Sequence, residues 1–281
     1  MNRDEALKQS DEALHDLAEA LKQGKSESLV RYLDMLSRFH QYSFGNCMLI
    51  ALQRPDATLV AGFNRWKSLG RWVKKGESGI AILAPLMVRR KDAAAERDDG
   101  EEPAGREARA LSGFRVVHVF DASQTEGKEL ADLGSIRGDP GERTTRIEEL
   151  IRAKGIELSF EESLNGSLGR SEGGKISVLS SLSPAQTFST LVHELAHELL
   201  HRGDRRQETT KVIRETEAEA VAYVVTRAAG LECSTESADY IQLWSGDIAI
   251  LTQSLEHIRN VASGIILELE TPVSKETANV A

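Results

Sequence analysis

Residues 193–197 read HELAH. Two histidines four residues apart on a helix project from one face, about 6 Å apart along the axis, which suits joint coordination of a single tetrahedral metal. Glu194 follows the first histidine and is placed to reach a water at the ion rather than the ion itself. This is the HExxH arrangement of zinc peptidases, in which the metal acidifies a water and the glutamate takes its proton. His193 and His197 are thus candidate zinc ligands, and Glu194 is the candidate catalytic base. Leu191, Val192, Leu195 and Ala196 surround them, and two imidazoles and a carboxylate in so apolar a stretch need partners.

A third ligand must come from elsewhere. His201 continues the series at i+8, but in an unbroken helix it stands about 12 Å along the axis from His193, so it reads as a helix-end residue or as a support behind the ligands. The segment RETEAEAVAYVV (214–225) offers Glu215, Glu217 and Glu219. At 100° per residue Glu217 shares an arc with Ile213, Ala220, Val221 and Val224, while Glu215 and Glu219 lie near the opposite side. A carboxylate on an apolar face needs a partner, and a metal held by two histidines supplies one. Glu217 is therefore assigned as the third ligand, with one position left open for water, as catalytic zinc requires. Glu215 at the rim is the alternative, and Glu219 reads as a solvated position. Tyr223 and Tyr240 could stabilise an oxyanion, although buried packing accounts for both.

The elements that must hold these residues are legible around them. SPAQ places Ser183 at an N-cap, Pro184 at N1 and Gln186 at N3, so a helix opens there and stops at Gly203. A further helix covers about 209–229, with Gly230 as its stop. Upstream lie a helix (143–154), the strand IELSF, a Gly/Ser-rich turn and the strand GKISVLSS; two amphipathic helices finish the chain. The first half reads as an amphipathic helix over the first 24 residues, a second helix from Glu27, and a short apolar helix, CMLIALQ, capped by Asn46 and closed by Pro55. A short helix carrying Trp66 follows, and GRWVKKGESGIAILAPLMV reads as a strand, a turn at 75–79 and a second strand. Residues 91–112, charged and alanine-rich, read as a mobile loop before the strand FRVVHVF. The Gly- and Pro-containing stretch 130–143 is the expected boundary. The fold expected is α+β: a mixed α+β domain at 1–130, then a mainly helical zincin-like domain with a small sheet at 142–281.

Composition narrows the setting. The 281 residues suit two domains or one elaborated domain, and 40% apolar with 28% charged residues suits a soluble chain with a real core. No run approaches the roughly 18 apolar residues of a membrane span, and MNRDEALKQSDEAL lacks the apolar centre of a signal peptide, so a cytoplasmic protein away from membranes is expected. Cys47 and Cys233 lie far apart and in no metal-binding spacing. The net charge of −9 argues against nucleic acid, yet residues 29–90 hold ten basic residues against three acids, +7, and leave −16 for the remainder. Within that segment FNRWKSLGRWVKK interleaves cations with aromatics, a pattern that neutralises phosphates and stacks unpaired bases. Arg65, Trp66, Lys67, Arg71, Trp72, Lys74 and Lys75 are the DNA-binding candidates. Phe63 and Trp66, three residues apart, also fit a core role.

HELAHELLH followed by an ExEA helix resembles the small gluzincin-like peptidase domains of the ImmA/IrrE group. The stretch from YSFGNCMLIALQRP to GIAILAP (42–85), with VFDASQTEG (119–127), resembles the N-terminal domain of ArdC-type antirestriction proteins. The resemblance implies a single-stranded DNA-binding domain joined to a zinc metallopeptidase domain, in a protein of plasmids and other mobile elements that protects incoming DNA from restriction. It implies His193, His197 and Glu217 as metal residues, Glu194 as catalytic, and a protein substrate on DNA. Two rivals are a DNA-coating protein with a vestigial metal site and a repressor-cleaving regulatory peptidase.

Overall fold

The computed structural model describes residues 1–23, 25, 27–89, 109–128, 139–231 and 247–271. Helices α1 (Arg3–Lys22), α2 (Glu27–Phe39) and α3 (Phe44–Gln53) open the chain. Strand β1 (Val60–Gly62), helix α4 (Phe63–Ser68) and strands β2 (Arg71–Val73), β3 (Ile80–Arg89), β4 (Arg109–Asp121) and β5 (Thr125–Gly127) follow. Then come α5 (Glu142–Ala153), β6 (Glu157–Glu161), β7 (Gly169–Ser171), β8 (Lys175–Leu179), α6 (Pro184–Leu200), α7 (Asp204–Glu208), α8 (Lys211–Ala228) and α9 (Ile248–Glu270). The chain is mixed α+β and divides into two compact units: Met1–Asp11 with Leu49–Lys128, and Glu12–Met48 with Glu129–Ala281.

The first unit is built on an antiparallel sheet of order β1-β4-β3 and a ribbon of β2 with β5. Trp66 is fully buried and its indole Nε1 donates to the Phe120 carbonyl at 2.9 Å, which fixes α4 to β4. Asp121 accepts from the backbone N–H of Thr58 at 2.7 Å and of Leu59 at 3.1 Å; together with Ser123 these bonds outweigh burial and hold its carboxyl below the usual range. The strands on either side of the 75–79 turn each find a partner further along the chain, β2 with β5 and β3 with β4. One expectation changes here. Residues 109–112 belong to β4, where Arg109, Ala110 and Leu111 oppose Arg89, Val88 and Met87. Ladder bonds come from the backbone, so an exposed ribbon end forms without the apolar alternation that would have marked it. The rest of the expected loop, 91–108, lies outside the described residues, as do Cys233, Tyr240 and most of the boundary segment.

In the second unit β6 runs parallel to β8, and β7 pairs antiparallel on the other side of β8, giving the order β6-β8-β7. The segment read as a Gly/Ser-rich turn thus contains an edge strand, and α6 packs across it. Helix α8 packs on α6, α9 and α2. Leu29, Leu33 and Leu36 are fully buried on α2, so Glu12–Met48 is compact with the C-terminal elements, in contrast to a division of the chain at 1–130 and 142–281. Tyr223 donates its hydroxyl to Asp34 Oδ1 at 2.8 Å, and Arg227 reaches the same oxygen at 3.2 Å, which gives Tyr223 a packing role between α8 and α2. Among the described residues no helix is long and apolar enough to cross a membrane.

Candidate metal centre

Helix α6 starts as the sequence predicts. Ser183 caps it, Pro184 occupies its first turn, and Gln186 Oε1 closes the capping box on the Ser183 N–H at 3.2 Å. The helix carries His193 and His197 on one face, with Nε2 atoms 3.1 Å apart. Helix α8, capped by Thr210, brings a carboxylate to them: Glu215 Oε2 lies 3.7 Å from His193 Nε2 and 3.5 Å from His197 Nε2. Metal–ligand bonds of about 2.0–2.1 Å at a tetrahedral ion put ligand atoms about 3.3 Å apart. Distances of 3.1, 3.5 and 3.7 Å match that edge, so the three side chains form a group able to hold a divalent metal. His193 and His197 pull the Glu215 carboxyl well below the ordinary range. Burial opposes charge on His193, but the Glu215 and Glu219 carboxylates outweigh it and raise the imidazole to about 9.

Glu217 lies outside this triangle. It is fully buried, with Oε2 at 2.9 Å from His201 Nε2 and Oε1 at 2.7 Å from Arg205 Nη2. Burial raises its carboxyl, but His201, Arg205 and Ser254 prevail and hold it at about 2. The expectation that Glu217 completes the histidine pair is thereby corrected. Two residues further along α8 its side chain turns about 200° from that of Glu215, and the partner that its burial demands is an imidazole and a guanidinium.

Glu194 is buried beside the triangle, and burial raises its carboxyl against the pull of His193 and His197. The backbone of β7 presses on it: a Cβ at Gly169 would stand 2.6 Å from Thr190 Cγ2 and 2.7 Å from Glu194 Oε1. Glycine at 169 is thus what allows this edge strand to approach the motif helix. Glu198, next after His197, accepts from Ser171 Oγ at 2.5 Å, from the N–H of Gly173 and Gly174 at 2.9 Å each, and from Arg202. It ties the β7–β8 turn to α6, and a cleft of about 490 Å³ opens there, lined by Arg170, Ser171, His197, His201 and Arg206. The signal that could have pointed to β7 is its glycine inside a short polar run.

The nucleic-acid candidates in the first unit separate into two sets. Arg65, Lys67 and Lys75 are exposed, and Trp72 is 54% exposed. Trp66 is core, which corrects its reading as a stacking platform. Arg71 uses Nε and Nη2 on Thr125 at 2.8 and 2.9 Å and Nη1 on the Lys128 carbonyl at 2.6 Å, holding β2 to β5. Lys74 Nζ donates to the Ser123 carbonyl at 2.9 Å. Phe63, expected in the core with Trp66, is 53% exposed and is an aromatic surface residue that spacing alone concealed. Cys47 is free and buried, its thiol pushed up to about 12 by desolvation.

Residues 6–120 match the family described as the N-terminal domain of anti-restriction factor ArdC. The N-terminal part is ArdC-like. Across 89% of its length the chain is also 24% identical, over 288 residues, to an uncharacterized protein of Bacillus anthracis, and it spans about half (49%) of that relative. Two crystal structures of the antirestriction ArdC protein from the R388 plasmid are similar to the chain. The metal-free one has a TM-score of 0.49 and 21% identity, covering 81% of this chain and 85% of the ArdC chain. The Mn(II)-bound one has a TM-score of 0.46 and 16% identity, covering 85% of this chain and 98% of the ArdC chain.

Proposed function

We propose that this ArdC-like chain is an antirestriction-type protein that binds single-stranded DNA through its N-terminal part and hydrolyses peptide bonds at a zinc centre of His193, His197 and Glu215, acting on proteins associated with DNA. The observation that carries the catalytic half is the triangle of two Nε2 atoms and Glu215 Oε2 with the buried carboxylate of Glu194 beside it. A structural site has no use for that fourth group, whereas hydrolysis requires a base within reach of water at an open position. When bound, the ion supplies Lewis acidity toward a peptide carbonyl and lowers the pKa of water.

The remaining steps belong to the chain. Glu194, held by burial at a raised pKa, accepts the proton from the attacking water and returns it to the leaving amine. Because β7 is the edge of its sheet and lies against Glu194 at Gly169, an extended peptide alongside it would bring its carbonyls close to the base. For the DNA half, support comes from the ArdC-like match of residues 6–120 and from the exposed Phe63, Arg65, Lys67, Trp72 and Lys75, which pair rings for base stacking with cations for phosphate.

The test compares wild type with Glu194→Gln for cleavage of a protein bound to single-stranded DNA and, in parallel, for protection of transferred DNA from restriction. Wild-type cleavage that Glu194→Gln abolishes, with metal retained, is expected. Absence of cleavage by wild type under every DNA condition would overturn the peptidase reading, and protection without cleavage would identify a DNA-coating protein instead.

A further inference from the structure

Behind the two histidines, α8 also brings up a carboxylate that is not a ligand, Glu217. With Nε2 of His197 turned toward His193 and Glu215, its ring proton belongs on Nδ1, and that atom lies 3.1 Å from Nδ1 of His201. Nδ1 of His201 must then accept, so the His201 proton sits on Nε2, which lies 2.9 Å from Glu217 Oε2. A carboxylate can only accept, so Glu217 fixes the direction of every hydrogen bond in the chain. Its other oxygen takes Arg205 Nη2 at 2.7 Å, and the His201 and Glu217 side chains have no exposed surface. The sequence builds this locally. Helix α6 ends at Leu200, His201 leaves the helical path as its C-cap, and Arg205 on α7 closes over the carboxylate. On the other ligand, His193 Nδ1 meets Glu219 Oε2 directly at 3.2 Å, in a half-exposed contact.

We propose that Glu217, acting through His201, is a positioning residue for the metal centre: it fixes the tautomer and ring orientation of His197 so that the Nε2 lone pair faces the ion. This rests on the reading of His193, His197 and Glu215 as the ligand set. A ligating histidine whose other nitrogen is held by a carboxylate binds metal about 10–100-fold more tightly than one without that support. The usual form is a direct contact, like that of Glu219 on His193; at His197 a second imidazole extends it, which moves the carboxylate into the core.

The experiment measures zinc affinity of the full chain by competition with a chromophoric chelator, for wild type, Glu215→Gln, Glu217→Gln, His201→Phe and His201→Gln. Glu217→Gln and His201→Phe should keep one zinc per chain but bind it about 10–100-fold more weakly. His201→Gln should stay close to wild type, because its amide oxygen can accept from His197 and its NH2 group can donate to Glu217. Wild-type affinity in both Glu217→Gln and His201→Phe overturns the proposal, as does complete loss of zinc in Glu217→Gln with retention in Glu215→Gln. Where a variant fails to fold, the zinc-loaded wild type still decides: long-range ¹H–¹⁵N histidine spectra should show His197 protonated on Nδ1 and His201 on Nε2, and the reverse placement on His201 refutes the relay. Unimpaired zinc binding in Glu215→Gln with these proton positions intact would instead count against the ligand set.

Discussion

Two tryptophans six residues apart should separate folding from DNA binding in the ArdC-like part. Trp66 has no exposed surface and its indole N–H is spent on the Phe120 carbonyl at 2.9 Å. Truncating so large a buried side chain costs about 3–5 kcal/mol, a large share of the roughly 5–15 kcal/mol that a domain possesses. Trp72 is 54% exposed on β2, and its ring lies so close to Gly127 that a Cβ there would stand 3.0 Å from the ring carbons. Trp72→Ala should therefore cost little stability and instead remove a stacking surface worth about 1–3 kcal/mol per base, a 5–150-fold weaker Kd. Fluorescence anisotropy with a labelled oligo-dT at fixed salt reads the binding, and urea denaturation of the same variants reads the stability. Trp66→Phe, which keeps most of the buried volume, should bind like wild type. Unchanged affinity in Trp72→Ala, or lost affinity in a folded Trp66→Phe, would refute the assignment of the two faces.

Two further outcomes follow from single positions. Gly169→Ala should leave zinc stoichiometry intact yet displace Glu194, since a Cβ would sit 2.7 Å from its Oε1; a shift near 1 Å costs hydrolysis on the order of 10²-fold, and wild-type turnover in the variant would contradict this. His40 is buried, burial lowers its pKa against the pull of Glu270, and among the described residues neither ring nitrogen finds a hydrogen-bond partner. Its neutral form belongs to the fold while the unfolded chain takes up a proton, so its contribution is complete above pH 6.5 and declines as pH falls through the window below, at up to about 1.4 kcal/mol per unit. Urea midpoints between pH 7 and 5 should fall less steeply in His40→Leu than in wild type, and parallel slopes would show that His40 does not carry this dependence.

Much of the candidate metal centre was legible in the sequence because local rules specify it. Ser183, Pro184 and Gln186 mark where α6 begins, and the i, i+4 spacing of His193 and His197 needs only a helix to bring the two rings together. The choice between carboxylates was not legible for a physical reason. Periodicity identifies Glu217 as the buried glutamate, which it is, but burial demands a partner without naming it, and His201 with Arg205 fills the role that a metal was expected to fill. Glu215 is half exposed, as suits a ligand at a water-open site, and hydrophobic patterning has no reason to single it out. The same limit hid β7, whose three residues are held by a ladder and by Glu198 rather than by an apolar face, and it put Phe63 in the core beside Trp66 although its ring is exposed. Pairing across sheets, as between β2 and β5, depends on contacts distant in sequence that no local pattern encodes.

Anomalous diffraction at the zinc edge from zinc-loaded crystals of the full chain would show directly whether His193, His197 and Glu215 hold the ion. One anomalous peak is expected in bonding contact, about 2.0–2.2 Å, with His193 Nε2, His197 Nε2 and a Glu215 carboxylate oxygen, while Glu217 stays on His201 and Arg205. A peak bound by Glu217 or His201, or no zinc between His193 and His197, would contradict that ligand set.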